Sequence, residues 1–272
     1  MPTNALSLVG FLDHPAAINH LRNDCVLPDT SDAALTDEWN TARARLGPAI
    51  ANAGKPDIQP IPSAHEPHIE QLLEQWQPGP GILFQLVEID PLLALQSTVD
   101  RERADHHCGA FNRPPQLAEL VPCCLPLGVQ TETIQFVRGP QSLIVRARSL
   151  NVELQAQGML ASNTIGIQFG LSLAYVHVVR FNGKCYLHNG IQRTYGARIA
   201  GATHIPCVFR DVADHAAVGI KTDGATFSAT LLESNNPPTL AHFTQGRAHR
   251  VRMKIKSRVL HVSWAEYVVP EE

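Results

Sequence analysis

The clearest hydrophobic and polar pattern lies between residues 176 and 201, where strand, turn and helix signals follow one another directly. The segments VHVVRF and KCYLH are typical of strands, and Asn182-Gly183 between them is a dipeptide that two-residue hairpins favour. A second pair, Asn189-Gly190, ends the second strand, and apolar residues then recur at helical spacing from Ile191 to Ile199. The pattern predicts a β-hairpin, a helix and then a buried strand, HIPCVFR.

Further strands are predicted for ILFQLVEI, TIQFV and LIVRARSL, which follow the proline- and glycine-rich segment at residues 77–82. The segment DPLLALQSTVDRERADHHCGAF predicts a helix or an irregular stretch. SNTIGIQFGLS predicts a glycine-rich helix, with Ser162 or Asn163 as its cap. Strands and helices in this arrangement indicate an α+β fold with a mixed sheet and flanking helices.

Residues 1–80 predict a helical segment. The stretch ALSLVGFLDHPAAINHLRN has loosely helical spacing broken at Pro15, and TSDAALTDEWNTARARLG and HEPHIEQLLEQW are two further helix candidates. This segment carries ten acidic and four basic residues, whereas residues 81–272 carry fifteen acidic and eighteen basic ones. We therefore expect two domains, an acidic helical segment at 1–80 and a larger domain at 81–272. The acidic segment could be a contact surface, either for a protein partner or for a second copy of the chain. It could instead be a lid or a stabilising layer on the larger domain.

The composition of the 272-residue chain is that of a globular protein, with 44% hydrophobic and 17% charged residues. No window approaches the length of a membrane helix, and the N-terminus lacks the layout of a signal peptide, so we expect a cytoplasmic protein with no membrane partner. Its six unevenly spaced cysteines do not indicate a disulfide framework and should be reduced.

The turn before the predicted helix is a candidate anion site. The first-turn amides of a helix are unsatisfied and carry partial positive charge, so an arginine in that turn suggests an anion shared with it. Arg193 therefore indicates a phosphate, and Gly190 and Gly196 would let a ligand or a neighbouring backbone come close. The alternative is that Arg193 pairs with a carboxylate of the chain and that Gly196 only allows tight helix packing.

The same stretch resembles the ParB/sulfiredoxin-like superfamily, in which a hairpin leads to a (D/N)G-x-x-R motif at a helix start and then to an (I/V)P-V-like strand. Here the motif is Asn189-Gly190-Ile191-Gln192-Arg193, whereas relatives carry DGHHR in ParB-like nucleases or DGQQR in restriction and phage-defence domains. The cysteine of true sulfiredoxins, which would fall in this turn, is absent. Residues 87–96, VEIDPLLALQ, are similar to the family's opening strand, and the resemblance covers about residues 81–212.

The resemblance implies a ParB/sulfiredoxin-like domain at 81–272 with a phosphate pocket formed by His188, Asn189, Gly190, Gln192 and Arg193. It implies binding of a nucleoside triphosphate, with or without Mg²⁺, in a bacterial defence or partition-like setting, and slow nucleotide hydrolysis or phosphotransfer. The alternatives are a catalytically inactive module that binds nucleic acid or protein, and a nuclease. Asn189 and Ile191 stand where nuclease-like relatives have Asp and His, which counts against the nuclease.

Hydrolysis would require carboxylates near the phosphate to act on water or to hold a metal ion. The candidates are Glu88 and Asp90, on the strand that resembles the family's opening motif, and Glu153.

A basic stripe is predicted close to the C-terminal end. The segment from Arg247 to Arg258, both included, contains six Lys or Arg residues and no acidic residue. Val251, Met253 and Ile255 alternate with the cations, which predicts a strand with one buried face and one face carrying Arg250, Arg252, Lys254 and Lys256. Such a face could follow a DNA or RNA backbone, contact the acidic residues 1–80, or be a solvated strand edge.

Zinc binding is disfavoured by spacing. His106-His107-Cys108 precedes Cys123-Cys124, but adjacent ligands rarely converge on one ion, and the familiar zinc sites use C-x2-4-C spacing. We therefore expect no metal site there, although the sequence leaves open whether the two groups meet.

Overall fold

The fold is taken from a computed structural model that describes residues 2–76, 78–128, 134–147, 152–161, 164–171, 175–220, 227–255, 258–266 and 268. The chain forms two compact units. The first comprises Met1–Leu127 and Tyr175–Lys254, and the second comprises Gly128–Ala174 and Ile255–Glu272. This division differs from the expected boundary at residues 77–82, because the first unit takes in both the N-terminal segment and most of the predicted larger domain.

The first unit contains nine of the described strands and all of the described helices. Its strands are β1 (Thr3–Ser7), β2 (Ile58–Pro60), β3 (Leu83–Glu88), β4 (Leu93–Ala94), β5 (Thr98–Asp100), β10 (His177–Phe181), β11 (Lys184–Asn189), β12 (His204–Asp211) and β13 (His249–Met253). Its α-helices are α1 (His14–Asp24), α2 (Asp32–Ala44), α3 (Glu66–Gln75), α4 (Arg101–Cys108), α5 (Leu117–Cys124), α6 (Ile191–Ile199), α7 (His215–Val218), α8 (Ala229–Glu233) and α9 (Leu240–Thr244). The protein is therefore of the α+β class.

A six-stranded mixed sheet forms the centre of the first unit, in the order β2-β3-β12-β10-β11-β4. The pairs β10/β12 and β11/β4 are parallel, and the other three pairs are antiparallel. Its central strands are buried, as their near-continuous apolar sequences require. The hydrophobic core lies around this sheet and includes Val178, Tyr186, Ile205 and Phe209.

The hairpin and the helix predicted at residues 176–201 are confirmed. Asn182 and Gly183 both have positive φ angles, 48° and 71°, as a two-residue hairpin turn requires. Helix α6 begins at Ile191 and ends at Ile199, and Gly201 follows with a φ of 108°. Local turn chemistry and helical spacing were sufficient to place these elements.

The N-terminal segment is not wholly helical. Residues 3–7 form β1, which lies between β13 and β5 in a three-stranded antiparallel sheet. Pro15 does not break a helix but stands in the first turn of α1, where a missing amide hydrogen costs little, and the Asp13 side chain caps that turn. The other two helices expected there are confirmed as α2 and α3.

The second unit contains only strands among its described residues. They are β6 (Ile134–Gly139), β7 (Ser142–Ala147), β8 (Val152–Ala161), β9 (Thr164–Leu171) and β14 (Arg258–Ser263). One antiparallel sheet has the order β14-β7-β6, and β8 pairs with β9 in a hairpin. The helix predicted for SNTIGIQFGLS is therefore wrong over residues 164–171, and its cap candidates Ser162 and Asn163 lie outside the described residues. Its apolar residues alternate from Ile165 to Leu171, which is a strand period, and the glycines led to the helical interpretation.

Candidate functional site

The turn that joins β11 to α6 is built on Gly190. This residue has a φ of 91° and precedes the first residue of the helix. A Cβ atom at this position would lie 2.8 Å from Val176 Cγ2 and 2.9 Å from Val176 Cα, so the glycine allows close contact with a neighbouring backbone. His188, Asn189, Gly190 and Gln192 are half-buried, which leaves part of the turn open to solvent.

Three polar side chains of the turn have partners in the protein. Asn189 Oδ1 accepts a hydrogen bond from the Gly190 amide at 2.8 Å, and Gln192 Oε1 accepts one from the Asp100 amide at 2.9 Å. His188 Nδ1 lies 2.8 Å from the Val218 carbonyl oxygen and so donates its ring proton there. In the neutral tautomer, Nε2 of His188 is then an acceptor.

A second histidine lies beside the turn. The ring of His177 is 5.0 Å from that of His188, in an edge-on arrangement. Burial, followed by the nearby charges of His188 and Arg210, lowers the pKa of His177 to about 3. His177 is therefore neutral at physiological pH and adds no cationic charge to the turn.

Arg193 points into the protein and is only 4% exposed. Its charge acts on His107, Cys108, Cys123 and Cys124, which places the guanidinium among the residues at the ends of α4 and α5. Arg193 therefore lies close to the three cysteine thiols at the ends of these two helices.

Gly196 has the packing role that was considered for it. A Cβ atom there would lie 2.9 Å from both Cβ and Sγ of Cys108 and 3.0 Å from the Ala104 carbonyl oxygen. The absence of a side chain thus lets α6 pack closely against α4.

Two of the candidate catalytic carboxylates, Asp90 and Glu88, do not lie at the turn. Asp90 binds Arg198, in the last turn of α6, through two hydrogen bonds of 2.9 Å. Glu88 pairs in register with His204, beyond the same end of α6, and accepts a hydrogen bond from the Asp57 amide at 3.0 Å. Since a helix rises about 1.5 Å per residue, the nine residues of α6 separate its two ends by roughly 12 Å. Glu153 lies in β8 of the second unit, and its side chain is outside the described residues.

The two cysteine groups considered for zinc do meet. Cys108 is the last residue of α4, and Cys123 and Cys124 are the last two residues of α5. Cys108 Sγ donates a hydrogen bond to the Arg193 carbonyl oxygen at 3.5 Å, and Cys123 Sγ donates one to the His107 carbonyl oxygen at 3.7 Å. Within the part of the chain that is described, no group of three or more His, Cys, Asp or Glu side chains has an arrangement that could hold a metal ion.

The three thiols differ in acidity. The hydrogen bonds from Cys108 and then Cys124 lower the pKa of Cys123, and the charge of Arg193 acts in the same direction. The hydrogen bond with Cys123 and burial raise the pKa of Cys108, and burial above all raises that of Cys124. Of the three neighbouring thiols, Cys123 is therefore the most acidic.

The predicted basic strand is confirmed as β13, although it is shorter than expected. Arg250 and Arg252 are exposed while Val251 between them is buried, and Lys254 follows the strand and donates to the Arg22 carbonyl oxygen at 3.2 Å. The prediction that Ile255 packs into the core is wrong, because it is 51% exposed beyond the end of the strand. Lys256 lies outside the described residues.

Arg250 belongs to a wider basic surface. The charges of Arg101 and Arg250 both act on the hydroxyl of Tyr195, opposing the burial that raises its pKa. Arg101 and Arg103 are exposed in the first turn of α4, next to β1 and β13. Glu102 and Asp105 on the same helix make the surface mixed rather than uniformly positive.

Comparison of the chain with protein-family models, with curated proteins and with solved structures gave no significant match. None of the described helices is both long and apolar enough to cross a membrane.

Sequence reasoning missed the association of Arg193 with the thiols. The motif predicts only that Arg193 stands at a helix start, and the spacing of the cysteines argues only against zinc. The available signal was the position of three cysteines at the ends of two adjacent helices, but the contact between them depends on tertiary packing.

Proposed function

We propose that the protein binds a nucleoside phosphate at the turn between β11 and α6, within a ParB/sulfiredoxin-like domain. The observation that carries this proposal is the half-exposed turn at the N-terminus of α6, with the buried Arg193 in the first turn of that helix. A helix N-terminus favours anions through its amides and its dipole. Because Gly190 has no side chain, a phosphate can approach the backbone at the start of α6 closely.

Arg193 acts in this proposal through its charge. A guanidinium in the protein interior is weakly screened, so it raises the potential at the turn over several ångströms. Direct contact with the phosphate falls to the exposed parts of His188, Asn189, Gly190 and Gln192. The resemblance to DGQQR-type domains supports the same ligand class.

Binding is better supported than rapid catalysis. Asp90 is held by Arg198 and Glu88 by the Asp57 amide, both at the far end of α6. A carboxylate that activates water for hydrolysis must lie within hydrogen-bond reach of that water. We therefore expect any hydrolysis or phosphotransfer to be slow, with Mg²⁺ held mainly by the nucleotide phosphates.

The test is Gln192→Glu. The new carboxylate keeps an acceptor for the Asp100 amide and stands in the first helical turn, where negative charge is favourable, so the fold is retained. It repels a phosphate at the turn by about 1–3 kcal/mol, which weakens binding on the order of 10-fold to 100-fold. Affinities are measured by calorimetry against the four ribonucleoside triphosphates with Mg²⁺.

Gln71→Glu is the matched control. Gln71 is exposed on α3, so the same change of charge there should leave affinity unaltered. Equal affinities in the two variants, or no binding of any triphosphate by the wild-type protein, would contradict the proposal.

A second candidate function is nucleic-acid binding by the basic surface of β13. The alternation of exposed Arg250 and Arg252 with buried Val251 on an edge strand favours it, as does the convergence of Arg101 on the same region. Each phosphate contact contributes roughly 0.9 to the slope of log affinity against log salt concentration for duplex DNA.

The paired variant Arg250→Glu/Arg252→Glu should lower that slope and leave the fold intact, since both side chains are exposed. Its control is Arg43→Glu/Arg45→Glu, which makes the same change of charge on exposed positions of α2 and the residue after it. Fluorescence anisotropy with labelled duplex DNA and RNA gives the slopes. Identical slopes in the two paired variants would exclude β13 as the contact surface.

A further inference from the structure

A serine, a histidine and an aspartate near the start of the chain are joined in a row by two hydrogen bonds. Ser7 Oγ lies 3.2 Å from His20 Nε2, and His20 Nδ1 lies 3.0 Å from Asp24 Oδ2. An ionised carboxylate can only accept, so Nδ1 of His20 carries a proton and donates it to Asp24. In the neutral ring Nε2 is then the acceptor, and the Ser7 hydroxyl donates to it.

Regular secondary structure positions the three side chains. Ser7 is the last residue of β1, the central strand of its sheet, and shares a face with Ala5, which packs against α1 and α2. His20 and Asp24 lie four residues apart on α1, so they are neighbours on one side of that helix. A strand and a helix therefore hold the serine, the histidine and the carboxylate in their relative places.

A second histidine lies beside Ser7. His249 on β13 is the direct antiparallel partner of Ser7, and such partners have Cβ atoms about 4.5–5.5 Å apart on one face. Its Nε2 lies 3.0 Å from Glu38 Oε1, whereas its Nδ1 is buried and has no hydrogen-bond partner within the described part of the chain. Nδ1 is therefore left for a polar atom of a bound molecule. It accepts from a hydroxyl when the ring is neutral and donates to an oxygen when the ring is protonated.

We propose that Ser7, His20 and Asp24 form a catalytic triad that hydrolyses small carboxylic esters. Ser7 is the nucleophile, His20 is the general base, and Asp24 positions His20 in the tautomer that can accept the serine proton. The protonated ring of His249 donates from Nδ1 to the carbonyl oxygen of the ester, where negative charge develops. None of these residues belongs to the turn between β11 and α6, so the inference does not depend on nucleotide binding.

Burial limits the substrate. Ser7 is only 1% exposed, whereas the side chains of His20 and Asp24 are 11% and 25% exposed. An ester therefore reaches the hydroxyl from the side of His20, and only a small acyl group fits beside Ser7. We expect acetate esters to react faster than octanoate esters on the order of 10-fold or more, because a closed pocket discriminates against added methylene groups.

The reaction has two steps. In the first, Ser7 Oγ attacks the carbonyl carbon while its proton passes to His20 Nε2, and the ester C–O bond breaks as His20 gives that proton to the leaving alcohol oxygen. In the second, water attacks the acyl carbon on Ser7 and gives a proton to His20. The bond to Ser7 Oγ then breaks, the oxygen regains a proton from His20, and the carboxylic acid leaves. Water is the only co-reactant, and no group is oxidised or reduced.

The first experiment uses full-length wild-type protein, so it holds even if a variant fails to fold. The protein is treated with a small dialkyl fluorophosphate, which modifies activated serines, and the modified residues are mapped by mass spectrometry. Ser7 should be modified in the folded protein but not in urea, where the three side chains separate. Absence of modification at Ser7 would overturn the proposal. So would equal modification of an exposed serine such as Ser234.

The second experiment measures hydrolysis of p-nitrophenyl acetate. Ser7→Ala should lose the activity, whereas Ser234→Ala, which alters an exposed serine after α8, should keep the wild-type rate.

Asp24→Asn tests the positioning role. The amide keeps the shape of the side chain but favours the other tautomer of His20, so kcat should fall on the order of 100-fold or more while KM changes less than about threefold. Urea denaturation shows whether each variant is folded. Wild-type protein without hydrolysis above the rate in buffer, or a folded Ser7→Ala variant with unchanged kcat, would contradict the triad.

Discussion

Gly190 occupies a backbone conformation and a space that other residues do not tolerate. Its φ is 91°, and a Cβ atom would lie 2.8 Å from Val176 Cγ2. We expect Gly190→Ala to lower the free energy of unfolding by about 2–4 kcal/mol, the combined cost of a left-handed alanine and of an overpacked contact. Urea denaturation followed by circular dichroism measures the loss.

Gly183→Ala separates the two costs. Gly183 also has a positive φ, 71°, but no atom lies within 4 Å of the position where its Cβ would stand. This variant should lose only about 1–2 kcal/mol, the conformational part. Equal losses in the two variants would show that Val176 moves aside without cost, and the turn would then be less closely packed than described.

Arg193 shows what a sequence can and cannot predict for a single residue. Its place in the first turn of α6 followed from the helical spacing, and the structure bears it out. The burial of Arg193 could not be predicted from that spacing, because it results from the contacts of α6 with α4, α5, α9 and the sheet. A helix covered on several sides buries most of its polar residues, and that property belongs to the packing rather than to the local pattern.

At the scale of elements, Asp90 joins the loop after β3 to the last turn of α6. The Asp90–Arg198 pair is bidentate, and its side chains are 26% and 32% exposed. A double-mutant cycle with alanine at both positions should give a coupling energy of about 1–2 kcal/mol, since partly buried bidentate pairs are stronger than exposed ones. The energies come from urea denaturation.

Arg180 and Asp211 provide the comparison. They form a bidentate pair of the same kind between β10 and β12, but their side chains are 43% and 63% exposed. Their coupling should be only about 0.2–1 kcal/mol. The cycle cancels the contact of Arg180 with the Phe209 ring, since Asp211 has no part in it. A coupling for this pair as large as that of Asp90–Arg198 would rule out exposure as the deciding factor.

Elements whose signals are local were predicted well, and those that depend on distant partners were not. The β10–β11 hairpin carries its own turn dipeptide, and α2 carries its own cap at Ser31. β1 was assigned to a helix because its loosely helical spacing was the only local information, whereas its strand conformation is stabilised by pairing with β5 and β13. β9 is different, because the apolar residues alternate from Ile165 to Leu171 and so provide a local strand signal. The glycines between them favoured the helix prediction instead.

At the scale of the whole molecule, the α+β class was predictable but the division into units was not. The proline- and glycine-rich segment at 77–82 resembled a linker, yet β2 and β3 on its two sides pair with each other. The actual division separates β13 from β14, with only a few residues between them. No composition signal marks that point, because both strands belong to one continuous basic stretch.

The central position of β1 has a consequence for synthesis on the ribosome. Its register pairs Thr3 with Met253, about 250 residues later in the chain, which makes this sheet one of high contact order. At about 5–20 residues per second, on the order of 12–50 s pass between translation of the two strands. During that interval β1 has an unsatisfied edge and exposed apolar side chains, so the nascent chain should be a substrate for ribosome-associated chaperones until β13 emerges.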